Sequence, residues 1–536
     1  MFGGSGAGKS ASYVIPNALQ LLGSYVFTDP KGELYDKTAG FFKEKGYNVK
    51  VLNLVNPENS DGYNPLAHIK NEIDVDVIAN TIMKGQSSEG NQSDPYWDNM
   101  AEMLLKALIY FLKAVRPPEE QNLASCAEMV RAANNSGGGN KLTELMEVLP
   151  YDHPARMNYK SIEIAPEKTY SSILSTLQSK LGKFDSKEIA EVTSTDTINF
   201  EEIGSEKTVV YVISSDTHTA YDFLLTIFFS QMIQHLYDFA DKNGGALPMP
   251  TYFILDEFAN IGHIPDFDKK ISTSRSRKIS FSVILQNLDQ LEAVYEKAHE
   301  TIIGNCDTHI FLGSNSQKTV EYFSKQLGEK TITRNNYSVN RDRQEWKQGS
   351  SESDQIMARA LMTPDELRRM DNDMCIIFEK GIKPIKANKY YYFKYPEAKL
   401  VEKYPANHND VQVERAKWRK YNPMNPYEEG EEDSAENFPS LDSLFDEEDP
   451  SGTSNVGSSE NLETTMGGGE TFESGDVASG MSALQESAST ATMTMPAPDK
   501  KQQVKKETTD IDIQKELEAK FDELFGALDD DDDSNI

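Results

Sequence analysis

The sequence predicts an α/β fold: a parallel sheet with helices on both faces, interrupted by an all-helical stretch and followed by a disordered acidic tail. Three observations carry this. Short β-prone apolar runs alternate with helical periodicity near the start and again after residue 206. Between about His68 and Ser205 the β-prone runs give way to apolar stripes at helical spacing. Charge is also unevenly spread. Of a net −32, residues 421–536 carry −24, from 30 acidic residues and 6 lysines, leaving −8 for the first 420 residues. The global acidity therefore says nothing against a nucleic-acid channel in the body.

The elements follow in order. Ala11–Leu22 reads as a helix with Pro16 near its first turns, Tyr25–Thr28 as a strand, Leu34–Lys45 as a helix and Val49–Leu54 as a buried strand. A βαβα rhythm of this kind implies a parallel sheet covered on both faces. The helical stretch shows one stripe at Met103, Leu104, Ala107, Leu108, Phe111 and Leu112, and another at Ile173, Leu174, Leu177 and Leu181. Strands resume at Thr208–Ile213, Thr251–Leu255, Ser280–Leu285 and Thr308–Leu312, and Tyr390–Tyr395 reads as a last edge strand.

The expected organisation is thus an α/β domain in two parts, 1–67 and 206–400, an inserted all-α domain at 68–205, a linker at 401–427 and a tail at 428–536. The tail is too poor in apolar residues to offset its ordering entropy. Its exception is a stripe of Ile513, Leu517, Phe521, Leu524 and Leu528, read as a short helix at 510–528 that docks onto a partner, with a frayed, functionless helix as the alternative. Cys126, Cys306 and Cys375 are sparse and odd in number, which fits a reducing compartment and no disulfide framework. The most apolar stretch, Phe223 to Leu236, is broken by Gln231, Gln234 and His235 and reads as a core helix. His218, His235 and His309 read as ordinary surface or core histidines.

Chemistry enters at residue 3. Gly3-Gly4-Ser5-Gly6-Ala7-Gly8-Lys9-Ser10 fits G-x-x-x-x-G-K-[ST], a loop whose backbone N–H groups turn inward around a β-phosphate at a helix N-terminus. Lys9 is expected to reach the β- and γ-phosphates of ATP, and Ser10 to ligate Mg²⁺. Such loops hang from a central strand. The strand that should precede Gly3 is missing from the sequence, and an N-terminal truncation is expected.

Tyr252–Leu255 is an apolar strand ending in Asp256-Glu257. Asp256 is expected to hold Mg²⁺ through water and Glu257 to polarise the attacking water, an arrangement suited to hydrolysis rather than to binding alone. Gln286 closes the next strand, where a neutral amide senses the γ-phosphate or orients the water; a turn-capping glutamine is the alternative. Arg275 lies in a basic stretch with Lys269, Lys270, Arg277 and Lys278. It reads as an arginine finger for a neighbouring subunit, with a DNA or subunit contact and a solvated helix end as alternatives.

With these residues in view, the sequence resembles the coupling ATPases of type IV secretion and bacterial conjugation, the TraG-like proteins. The resemblance runs from Gly3 to about Tyr395. Its specific carriers are Asp29-Pro30-Lys31-Gly32-Glu33-Leu34 and Asp94-Pro95-Tyr96-Trp97. Asn64-Pro65-Leu66, Leu255-Asp256-Glu257-Phe258, the Arg275–Arg277 segment, Leu285-Gln286-Asn287 and Leu361–Leu367 complete the series. The resemblance implies a RecA-like nucleotide-binding domain, an all-α domain on its cytoplasmic face and homohexameric rings. It implies ATP-driven movement of single-stranded DNA, with its attached relaxase, toward the secretion-channel proteins. It also implies N-terminal transmembrane helices upstream of the loop and a place at the cytoplasmic face of the bacterial cell membrane. A duplex-DNA translocase of the related FtsK/HerA kind and a non-hydrolysing adaptor are the competing readings.

Overall fold

The computed structural model describes residues 1–84, 95–134, 140–215, 221–340, 349–396 and 398–424, all within one compact unit, Met1–Ser434. Asp94, His218, the tail from 428 and the helix expected at 510–528 lie outside the described residues.

Five strands build an all-parallel sheet: β1 (Ser24–Thr28), β2 (Asn48–Asn53), β3 (Thr208–Ile213), β4 (Thr251–Leu255) and β5 (Ile279–Val283), in the order β2-β3-β1-β4-β5. β1 is central, pairing Tyr25 with Val209 of β3 and with Tyr252 of β4. Side chains alternate across a strand, so each strand feeds two cores. Tyr25, Phe27, Val209, Tyr211 and Ile254 pack on one face with Val14, Ile15 and the helix Glu33–Glu44. Val26, Val210, Val212, Phe253 and Leu255 face the other way, into a core shared with the helices that follow β2. A parallel sheet buried on both faces reads as near-continuous apolar runs, which is why these strands were legible.

Between β2 and β3 every described regular element is helical, from Glu72–Lys84 to Phe200–Ser205. The Pro95–Val115 helix buries Leu104, Ala107, Leu108, Phe111 and Leu112, and the Glu167–Leu181 helix buries Ile173, Leu174, Leu177 and Leu181, as their spacing requires. The expected core helix is Asp222–Lys242, with Gln231 and His235 buried. Among the described residues, no helix is long and apolar enough to cross a membrane.

A second sheet, ordered β10-β9-β6, contains β6 (Thr308–Phe311), β9 (Met374–Glu379) and β10 (Ile385–Asn388); β7 (Glu329–Asn340) and β8 (Gly349–Ala360) form a hairpin. Ahead of Gly3 the described residues hold no regular strand, only isolated bridges at Phe2. Phe2 makes parallel bridges to Leu285 and Phe311, Leu285 N–H donates to Met1 O at 2.9 Å and Leu312 N–H donates to Phe2 O at 2.8 Å. This pairing stitches the second sheet to the β5 edge of the first.

Two readings are corrected. The helix after the loop ends at Ala18 and opens as a wider π-turn over Ser10–Val14. Pro16 has no N–H for the carbonyl four residues before it, so the regular ladder is interrupted. Tyr390–Tyr395 is not a strand: Tyr392–Lys394 is a 3₁₀ turn, and the edge strand is β10. Aromatic enrichment signals a half-buried surface, which a wedge against a loop satisfies as well as a strand does.

Residues 404–424 form a strap across the body. Ala406 N–H donates to Asp36 O, Arg415 Nη2 donates to Ser60 O at 2.8 Å and Tyr421 N–H donates to Ser125 Oγ at 2.9 Å. Glu120, fully buried, accepts from Arg116 Nε and Arg419 Nε at 2.6 Å each. A buried carboxylate stripped of a cationic donor keeps part of its desolvation cost uncompensated. Replacing Arg419 with Met is therefore expected to lower stability by about 2 kcal/mol, measured by urea unfolding; an unchanged midpoint would show that Arg116 alone satisfies Glu120.

Candidate active site

The tips of β1, β4 and β5 converge with the Gly-rich loop on one cleft of about 760 Å³. The loop is held from behind: Gly3 N–H donates to Leu285 O at 3.0 Å and Gly4 N–H to Gly313 O at 2.9 Å. Gly6 and Gly8 take φ of 73° and 76°, where a side chain is strained. Among the described residues, the N–H groups of Gly6, Gly8, Lys9 and Ser10 have no protein acceptor. Ser5 and Ala7 complete the loop lining. A nest of unspent donors at the start of a helix is a fit for an anionic, phosphate-like group.

Asp256 and Glu257 follow β4 directly. Burial pushes the Asp256 carboxyl above its usual range; Lys9 opposes that shift and Glu257 adds to it. Lys9, 8% exposed, places Nζ 2.5 Å from Glu257 Oε1 and 3.8 Å from Asp256 Oδ1. Ser10 Oγ donates to Asp256 Oδ2 at 3.3 Å. A hydroxyl beside a carboxylate is the oxygen pair that a hard cation such as Mg²⁺ takes when phosphate and water complete its shell. Among the described residues, no group of three His, Cys, Asp or Glu side chains forms a protein-only cage.

Glu257 sits at φ 51°, ψ 47°, a left-handed conformation that costs a non-glycine residue about 1 kcal/mol or more. The strain turns its carboxylate toward Gln286, whose Nε2 donates to Glu257 Oε1 at 3.0 Å. Gln286 is fixed in turn, its N–H donating to Gln290 Oε1 at 3.1 Å. Asn287 caps the helix carrying Gln290.

Of the residues read from sequence, Lys9, Ser10, Asp256, Glu257 and Gln286 therefore meet. Arg275 does not join them. It lies in the 3₁₀ turn Arg275–Arg277 that leads into β5, at the end of that strand away from the loop, with a side chain 93% exposed and 3.9 Å from Asp307. Its neighbour Arg277 is committed, clasping Asp241 at 3.0 and 3.1 Å over the ring of Tyr237.

Several cleft residues escaped the sequence reading: Thr28, Asp29, Asn260, Tyr392 and Phe393. Asp29 had a signal in Asp-Pro-Lys-Gly, a strand end running into a turn. Gly32 supplies the turn's positive φ of 73°, and the buried Asp29 carboxylate accepts from Tyr35 N–H at 2.8 Å.

A parallel α/β sheet with a Gly-rich anion loop, a lysine and a strand-tip acid pair at one edge defines the phosphate-loop nucleotide-binding class. The sequence pattern of the family described as "Type IV secretory system Conjugative DNA transfer" matches residues 1–417. The chain belongs to that family. Curated relatives include a conjugal transfer protein TraG of Escherichia coli, 27% identical over 73% of this chain, and a TraG of Agrobacterium fabrum, 24% identical over 74%. The chain spans just under two thirds of these relatives, 66% and 61% of their lengths. The fold is that of the bacterial conjugative coupling protein TrwB. Its sulphate complex superposes with a TM-score of 0.53 at 16% identity, covering 72% of this chain and 84% of that one. TrwB solved with ADP and Mg²⁺ gives 0.52 at 17%, covering 73% and 84%.

The burial of Asp29 raises its carboxyl to about 6, against hydrogen bonds from Tyr35 and Leu34 N–H that oppose the shift. The native state then binds more protons than the unfolded chain between about pH 4 and 6, so this group's contribution to stability falls as pH rises through that window. Asp29→Asn removes that slope. The wild-type-minus-variant stability is expected to drop by about 2–3 kcal/mol from pH 4 to pH 7, read by urea unfolding across that range.

Proposed function

We propose that this chain is the ATP-driven coupling protein of a type IV secretion or conjugation system. It recruits relaxase-bound single-stranded DNA and drives it to the secretion-channel proteins. The observation that carries the reading is the meeting of Lys9, Ser10, Asp256, Glu257 and Gln286 at one strand-tip cleft in a chain of the conjugative DNA-transfer family. TrwB, which shares the fold, has been solved with the non-hydrolysable ATP analogue ADPNP and with ADP and Mg²⁺.

ATP is the substrate. The free N–H groups of Gly6, Gly8, Lys9 and Ser10 receive its phosphate oxygens, and Lys9 exchanges its bond to Glu257 for the β- and γ-phosphates. Release of Lys9 leaves the Glu257 carboxylate, held by Gln286, to accept a proton from the attacking water. Ser10 and Asp256 hold Mg²⁺, which when bound neutralises charge on the β- and γ-phosphate oxygens. Arg275, exposed at the end of β5 away from the loop, completes the charge around a neighbour's γ-phosphate in a homohexameric ring. The 68–205 insert is the ring's all-α domain, and the full protein works at the cytoplasmic face of the bacterial cell membrane. Substrate recruitment by the acidic tail belongs to the same reading.

Lys9→Ala is expected to abolish ATP binding, while Glu257→Gln binds ATP and loses at least 100-fold in turnover, on the order of a lost catalytic base. Calorimetry and phosphate release separate the two; a Glu257→Gln chain hydrolysing at the wild-type rate would remove Glu257 from the chemistry. For the ring, Arg275→Ala and Lys9→Ala subunits should each be inactive alone and recover partial ATPase when mixed, since some interfaces then pair an intact loop with an intact arginine. No recovery in rings shown to be mixed rejects the finger.

A further inference from the structure

The segment that turned out not to be a strand is fastened to the phosphate loop. Lys389, 5% exposed, donates Nζ to Ala7 O at 2.8 Å and reaches Asn372 Oδ1 at 3.4 Å. The Tyr391 ring lies against Gly8 so closely that a Cβ there would stand 2.9 Å from Cε1, and its hydroxyl donates to Asn372 O at 3.3 Å. Tyr392 packs into the apolar cluster of Val14 and Ile15, on the helix that continues the loop. These three anchors fix the next residue.

Phe393 stacks on Tyr391, with centroids 5.2 Å apart and planes at 23°, and meets Tyr392 edge-on at 5.7 Å. One side of the ring is thus backed, yet the residue stays 56% exposed on the wall of the cleft that holds the loop. A large aromatic held rigid beside a phosphate-binding loop, with apolar area open to the cleft, is a stacking surface.

We propose that Phe393 is the base platform of this site: with the triphosphate in the loop, the purine ring lies on the open part of the Phe393 ring. The proposal rests on the loop being a nucleotide phosphate site. Stacking reads area and not hydrogen-bonding pattern, because every base has a π-face. The platform therefore serves adenine and guanine alike. Tyr391 and Lys389 are positioning residues that tie the platform to Gly8 and Ala7, so base and phosphate contacts sit on one rigid piece.

The test uses the full chain with Mg²⁺ and three titrants in a calorimeter: ATP, GTP and inorganic tripolyphosphate, which has no base. Phe393→Ala is expected to weaken ATP and GTP about tenfold each, equivalent to ~1.4 kcal/mol, and to leave tripolyphosphate within twofold. Phe393→Trp is expected to restore both nucleotides. Unchanged ATP affinity in Phe393→Ala overturns the platform alone. So does an equal loss for tripolyphosphate, which would make Phe393 a support of the loop. A wild-type chain that binds none of the three overturns the phosphate-loop reading and the platform with it.

Discussion

Two half-buried carboxylates at the end of a buried strand repel each other, and Lys9 makes that tolerable. Its ammonium, 2.5 Å from Glu257 and 3.8 Å from Asp256, offsets charge that the β4 tip could not otherwise carry. Much else is arranged around that cluster. Phe2 pins the loop between β5 and β6, Gly6 and Gly8 bend it to bring Lys9 forward, and Gln286 holds Glu257 from the β5 tip. A lysine engaged by carboxylates is also a lysine whose partners can be exchanged. A phosphate group offers it a stronger anionic partner, and its departure raises the repulsion between the acids it leaves.

What was legible in the sequence was what burial makes repetitive. The parallel strands run apolar end to end because helices cover both faces, so β3 and β4 fall where the apolar runs put them. The stripe through Leu104, Leu108 and Leu112 marks a helix because one face meets the core. The site was legible where chemistry restricts residue type: a Gly-rich loop ending in Lys-Ser, and acids capping an apolar run.

The remainder had no such signal. β7 opens on Glu-Lys-Thr-Ile-Thr-Arg, a run with one apolar residue, and β10 is four residues of Ile-Lys-Ala-Asn at an edge. Tyr390–Tyr395 showed the composition of a strand, while the hold of Lys389 on Ala7, 382 positions away in sequence, decides its shape. Arg275 could be placed on a basic segment, but its approach to Asp307, which comes from a different strand's start, had no signal in the spacing.

The position of β3 also shapes how this chain reaches its fold. β3 sits between β1 and β2, yet it arrives only after the whole helical stretch; Ser24 Oγ bonds Glu206 O across 182 positions. Closing so long a loop carries an entropy that grows with the logarithm of its length, and non-local strand pairing is slow beside helix formation. A helical insert that has already collapsed shortens the path between β2 and β3. In kinetic terms, the insert works as an internal clamp for the sheet, so lesions that loosen its packing should delay assembly of the strand tips where Lys9 meets its acids.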